Sequence, residues 1–175
     1  ISLHGLGTSS GAHRTPNVQQ GKRARRSLQR ETLWTMTEIT VRVLDESEWS
    51  LYRDVRLRGL EESPGSFTAT LAEEADRDEQ FWRDRMTRSH RLLAELGPAP
   101  QGIVGLGPYK EDPSAAEVCG LDVVPGARGT GVSWRLVEAA AALATQQAYL
   151  QLFYWVGTDN GRAVGFAQNF GFRTT

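Results

Sequence analysis

The feature that most constrains this chain is an apolar run that ends in a glycine turn and resumes as an amphipathic helix. "AEVCGLDVV", residues 116–124, is mostly apolar without strict alternation, which suits a central strand covered on both faces. "PGARGTG" follows at residues 125–131. From Val132 onward, Leu136, Val137, Ala140, Leu143 and Ala144 fall on one face of an α-helix. A helix N-terminus has N–H groups with no intrahelical acceptor and about half a positive charge. Gly129 and Gly131 carry no Cβ to hold an anion away, and Arg128 adds a cation at the rim. The pattern suits a phosphate, although a tight turn with no ligand uses the same glycines. Two phosphate loops are excluded by residue identity. A P-loop needs Gly-Lys-Ser/Thr, whereas Gly131 precedes Val132 and Ser133; a dinucleotide fingerprint needs a third glycine where Trp134 stands.

The chain has 175 residues, 39% of them hydrophobic, enough for one domain with its own core. Its formal net charge of -1 hides an asymmetry: residues 1–35 hold six Arg/Lys and one acid, and the remainder is acidic. That first segment, with "GKRARRSLQR" in it, lacks a core-forming pattern and is expected to be a disordered basic extension. The domain is expected over residues 36–175. Nucleic-acid contact rests on the tail alone and is not expected; a solvated tail accounts for it. The single Cys119 permits no internal disulfide, which suits a reducing, cytoplasmic setting. No apolar run approaches the roughly 20 residues of a membrane span. The three histidines have no metal-ligand spacing.

Elsewhere the alternation of residues 39–44 predicts a strand, and Trp49, Tyr52, Val55, Leu57 and Leu60 predict a helix that "SPG" ends. "TLAEEADRDEQFWRDRMTR" predicts one charged helix. "RLLAEL", "GIVGLGPY" and "YLQLFYWV" predict further strands, and "NGRAVGFAQNFGF" a short helix closed by Gly171. The order is β-α-α-β-β-β-α-β-α, and a strand is expected where the sequence stops.

From about residue 36 onward this pattern resembles the GNAT superfamily of acyl-CoA-dependent N-acetyltransferases. The superfamily signature Gln/Arg-x-x-Gly-x-Gly/Ala is matched by Arg128, Gly129, Thr130, Gly131 and Val132, with Ser133 departing at the last slot. A second signature appears as Asn160, Ala163, Gly171 and Phe172, and "RLRGLEESPGSF" is similar to the substrate-side helix and loop. The resemblance implies an α/β fold, a GNAT-type mixed, mostly antiparallel central sheet flanked by helices, here lacking its last strands. It implies acetyl-CoA as co-substrate: pyrophosphate on the turn (Arg128, Gly129, Thr130, Gly131, Val132, Ser133), pantetheine along Leu121, Val123 and Val124, and Asn160 beside it.

Acetyl transfer to an amine needs a base. Glu117 occupies the position where histone acetyltransferases of the superfamily place a catalytic glutamate, and a strand-end glutamate in water is the plain alternative. Asp122 is nearer the expected thioester, or faces outward. The superfamily's tyrosine slot for protonating the thiolate holds Ala167; Tyr154 and Tyr109 are candidate replacements, with core or edge packing the plainer and favoured reading of each. Expected partners are acetyl-CoA and an unidentified amine, with a homodimer left open. A degenerate acyl-CoA-binding module, motivated by Ser133 and Ala167, is the alternative to an enzyme.

Overall fold

The computed structural model describes residues 2–5 and 38–174. Its strands are β1 (Ser2–Gly5), β2 (Ile39–Val43), β3 (His90–Leu96), β4 (Ala99–Pro108), β5 (Ala115–Val123), β6 (Gln151–Trp155) and β7 (Arg173–Thr174). The helices are α1 (Trp49–Glu62), α2 (Leu71–Ala75), α3 (Glu79–Arg88), α4 (Val132–Gln146) and α5 (Gly161–Phe170). All described strands join one sheet in the order β2-β3-β4-β5-β6-β1-β7. Every pairing is antiparallel except β5 with β6. The mixed, mostly antiparallel sheet expected from the sequence is therefore present.

The sheet carries an apolar cluster on each face, and the side-chain period of two decides which residues belong to which. On one face Leu92, Ala94, Val104, Leu106, Ala116 and Val118 pack against Val132, Leu136, Val137 and Ala140 of α4 and Ala167 of α5. On the other, Leu93 and Ile103 meet Tyr52, Val55, Trp82 and Met86 of α1 and α3. Trp82 is fully buried there, its ring edge-on to Tyr52 at 5.7 Å.

Two sequence expectations are corrected. The charged helix is two helices, because Asp78 accepts from the Phe81 N–H and caps a new start after the chain has turned at Asp76. The extension is not structureless at its beginning. Ser2–Gly5 pairs with β6 on one side and β7 on the other, and fills the slot between them. A four-residue strand needs little apolar pattern when two neighbours offer unpaired backbone groups. The basic stretch "GKRARRSLQR" and the rest of residues 6–37 lie outside the described residues.

Candidate active site

β5 and β6 run parallel and paired from Ala115↔Gln151 to Val118↔Tyr154, and no pairing continues beyond. Past that point the strands part. A bulge contributes to the divergence: Ile103 faces Asp122 and Gly105 faces Cys119, so Gly120 and Leu121 together oppose Val104 alone. Gly120 takes φ +59 there, a conformation that favours glycine.

The gap between the strands opens into a cleft of about 420 Å³. Leu121, Val123, Arg128, Gly129, Ser133 and Asn160, all expected at a ligand site, line it together, joined by Tyr154, Arg162 and Phe166. At its end the chain turns through Gly129 (φ +80) and Gly131 (φ +93) into α4. Among the described residues, the N–H groups of Gly129, Gly131, Val132 and Ser133 find no acceptor within the protein, and no side chain caps the helix. Two of these residues, Gly129 and Ser133, line the cleft, and a run of unpaired donors at a helix start suits a phosphate.

Several expected roles change. The Arg128 guanidinium is only partly free for an anion: its Nε donates to the Val123 carbonyl at 2.9 Å and its Nη2 to Ser63 Oγ, which leaves Nη1. It also lies 3.9 Å from Asp122, which ties the end of β5 to the end of α1. Asp122 does not face outward. It is buried against Gly59, where a Cβ would collide with its carboxylate. Burial pushes its carboxyl above the usual range, with Arg128 pulling the other way. Val124 does not line the cleft, and its N–H is taken by the Gln101 carbonyl at 2.9 Å. The Thr130 hydroxyl donates to the Ala127 carbonyl at 2.6 Å, so it braces the turn. The Val132 side chain is core and does not line the cleft, so only its N–H is left for a ligand. Asn160 caps α5 by accepting from the Ala163 N–H, which leaves its Nδ2 group available to donate. The cation that sequence reading overlooked is Arg162, in the first turn of α5 and lining the cleft; "NGRA" was the available signal.

Glu117 stands one residue before the last β5–β6 pair, just behind the point where the strands part, and is not among the residues that line the cleft. It is opposite Gly107 on β4 and therefore on the sheet face that carries α1 and α3. Burial raises its pKa, offset in part by the Trp155 indole N–H. Tyr154 is 8% exposed and lines the cleft, and burial pushes its phenol up to about 12. Tyr109 instead lies outside this cleft and donates to Glu111. Among the described residues no cluster of His, Cys, Asp or Glu could hold a metal, and no helix is long and apolar enough to cross a membrane.

A sheet parted beside an uncapped helix start has the shape that admits a phosphate-bearing, chain-like ligand between two strands. The family follows from comparison: residues 56–172 match the model of the acetyltransferase (GNAT) family, and the chain belongs to it. It is thus an acyltransferase, and acetyl-CoA is the donor that this family uses. No curated protein matches the chain. Among solved structures, an aminoglycoside acetyltransferase from an uncultured soil metagenomic sample is similar at 16% identity and TM-score 0.67, covering 79% of this chain and 93% of that one. AAC(6')-Iy, solved with a bisubstrate analogue joining CoA to monomethyl-acetylneamine, is similar at 18% identity and TM-score 0.62, over 79% and 92%. A GCN5-related N-acetyltransferase from Ralstonia eutropha JMP134 reaches 20% identity and TM-score 0.62, over 79% and 94%. At these identities the likeness is one of fold.

Proposed function

We propose that the protein is an N-acetyltransferase that moves the acetyl group of acetyl-CoA to an amine by direct attack. The observation that carries this reading is Glu117: a carboxylate with a raised pKa, just behind the point where the strands part, on the face away from α4. The pyrophosphate binds the free N–H groups at Gly129, Gly131, Val132 and Ser133, and the pantetheine arm follows Leu121 and Val123. This leaves the thioester near the bulge at Gly120. The neutral amine attacks the carbonyl carbon, and β5 N–H groups steady the oxyanion. The amine proton passes to Glu117, directly or through water. The C–S bond then breaks and the sulfur takes a proton from Tyr154, whose phenol stays neutral at physiological pH. Tyr154 thus replaces the hydroxyl that Ala167, fully buried in the core, cannot supply.

The test is thiol release from acetyl-CoA with a panel of amines, on the wild type and on Glu117→Gln. The variant is expected to lose about ten- to a thousandfold in kcat at neutral pH while keeping acetyl-CoA affinity. Its deficit shrinks at high pH, where the amine is already neutral. Stability moves the other way. A carboxyl whose pKa is raised by folding holds its proton more tightly in the native state. Its contribution is greatest below the unfolded pKa and falls as pH rises through the folded one, so at neutral pH the glutamine is no less stable. Wild-type turnover by the variant at every pH removes Glu117 from the mechanism. Tight acetyl-CoA binding without thiol release from any amine favours the binding-module reading that Ser133 and Ala167 motivate.

A further inference from the structure

Arg91 is a buried cation without an anion. It is 8% exposed, and its Nε has no hydrogen-bond partner. Nη1 lies 3.6 Å from Cys119 Sγ, Nη2 donates to the Arg85 carbonyl at 3.3 Å, and the guanidinium sits 4.8 Å from the Tyr52 ring centroid. No carboxylate among the described residues pairs with it. Both buried acids among the described residues are already engaged, Asp122 beside Arg128 and Glu74 more tightly. Both Glu74 oxygens accept from Arg56, at 3.0 and 3.1 Å, and from Arg85, at 3.1 and 2.9 Å. Burial would push Glu74 up, but these two guanidiniums outweigh it and hold its carboxyl low. Two arginines therefore share the Glu74 carboxylate, and Arg91 beside them has none. Burying a cation without a counter-ion is costly, and here only a carbonyl, a thiol and a ring face offset it.

The register says where this charge points. Arg91, Gly105 and Cys119 lie side by side on β3, β4 and β5. Gly105 has no side chain, and a Cβ there would collide with both Arg91 Nη1 and Cys119 Sγ. The guanidinium crosses β4 through that opening. It ends at Cys119, the first β5 residue beyond the last pair with β6, on the same face as Glu117. Two residues of strand separate Cys119 from Glu117, about 7 Å.

We propose that Arg91 receives a carboxylate of the acceptor, so that the substrate is a small molecule holding an amine and a carboxylate a short chain apart. The amine faces Glu117 and the thioester; the carboxylate lies against the guanidinium, which can offer parallel N–H donors. This rests on the N-acetyltransferase reading and narrows it. It excludes acceptors that are purely cationic.

The experiment is calorimetry on the CoA-saturated protein with free amino acids of apolar, polar and charged side chains, each beside its α-amide. Acids are expected to bind about ten- to a hundredfold more tightly than their amides. Arg91→Met should erase that gap, and Arg91→Lys should keep part of it. The Met variant should melt no lower than wild type, since an apolar isostere relieves a buried unpaired charge. The proposal is overturned by equal binding of acid and amide, by a gap that survives Arg91→Met, or by no binding of either series. A large fall in melting temperature with an unchanged acid-to-amide ratio would make Arg91 a purely structural residue. Thiol release separates the two readings. Turnover of amides or simple amines with no preference for acids sinks the carboxylate site and leaves the N-acetyltransferase standing. Arg91-dependent binding of acids without thiol release does the reverse.

Discussion

Two pairs of glycines flank the place where the strands part, and they are glycine for different reasons. Gly129 and Gly131 lie in open space, where a Cβ on either would meet nothing within 4 Å, but both have positive φ. Gly105 and Gly107 have ordinary strand conformations and no room. A Cβ on Gly105 would strike Arg91 and Cys119, and one on Gly107 would come within 2.9 Å of Ser89 Cβ. The first pair shapes a backbone that presents N–H groups to a phosphate. The second clears a floor on the opposite face, where Arg91 crosses β4 toward Cys119 and Gly107 lies beside Glu117 of β5. In the proposed mechanism one pair serves the donor and the other the acceptor, and the two should respond to substitution in different ways.

The largest effect is expected at Gly131. Gly131→Asp puts a carboxylate at the start of α4, in space that is otherwise open. Acetyl-CoA affinity should fall by more than about a hundredfold, through repulsion at close range. Folding should survive, because Asp tolerates a left-handed conformation better than most residues. Gly131→Asn carries nearly the same backbone strain without the charge, and should bind far better than the Asp variant. Equal losses in the two would mean that conformation, and not an anion site, explains the glycine.

At Gly105 the expected loss is in stability. Gly105→Ala forces Arg91 and the Cys119 side chain aside, for about 1–3 kcal/mol and several degrees in Tm. Acetyl-CoA affinity should change little, because the cleft lies beyond the bulge. Adding Cys119→Ala removes one of the two obstructions and should return part of the loss. A Gly105→Ala protein as stable as wild type would show that the lane across β4 is wider than the register implies.

The two pairs also differ in how legible they were. The turn at residues 125–131 could be read from sequence because its physics is local: strand, glycines, helix, all within neighbouring residues. The same holds for Asn160, whose cap lies three residues away at Ala163. Arg91 could not be read. It opens "RLLAEL", an ordinary strand, and its meaning depends on Gly105 and Cys119, which join it only through strand register. Arg128 matched the expected signature, yet its guanidinium turned inward to Ser63, which is 65 residues away. The strand Ser2–Gly5 was missed because its partners are at the far end of the chain. Contacts across long sequence separation set which side chains meet, and periodicity does not encode them.

The smallest effect compares glycines within the same turn. Gly129 and Gly126 both have open space where a Cβ would go, but only Gly129 has positive φ, at +80. If conformation is what the turn demands, Gly129→Ala should cost about 1–2 kcal/mol in stability, the penalty of a left-handed alanine. Gly126→Ala should be neutral or stabilising by a few tenths of a kcal/mol to about 1, because it only narrows the unfolded ensemble. The difference is readable as a shift of a few degrees between the two melting curves. Acetyl-CoA binding adds a second reading. Gly129 lines the cleft and contributes a free N–H, whereas Gly126 does not line it, so only Gly129→Ala should also weaken affinity. Equal melting temperatures and equal affinities for the two alanine variants would remove the conformational argument for Gly129. They would leave Gly131 as the glycine on which the anion site depends.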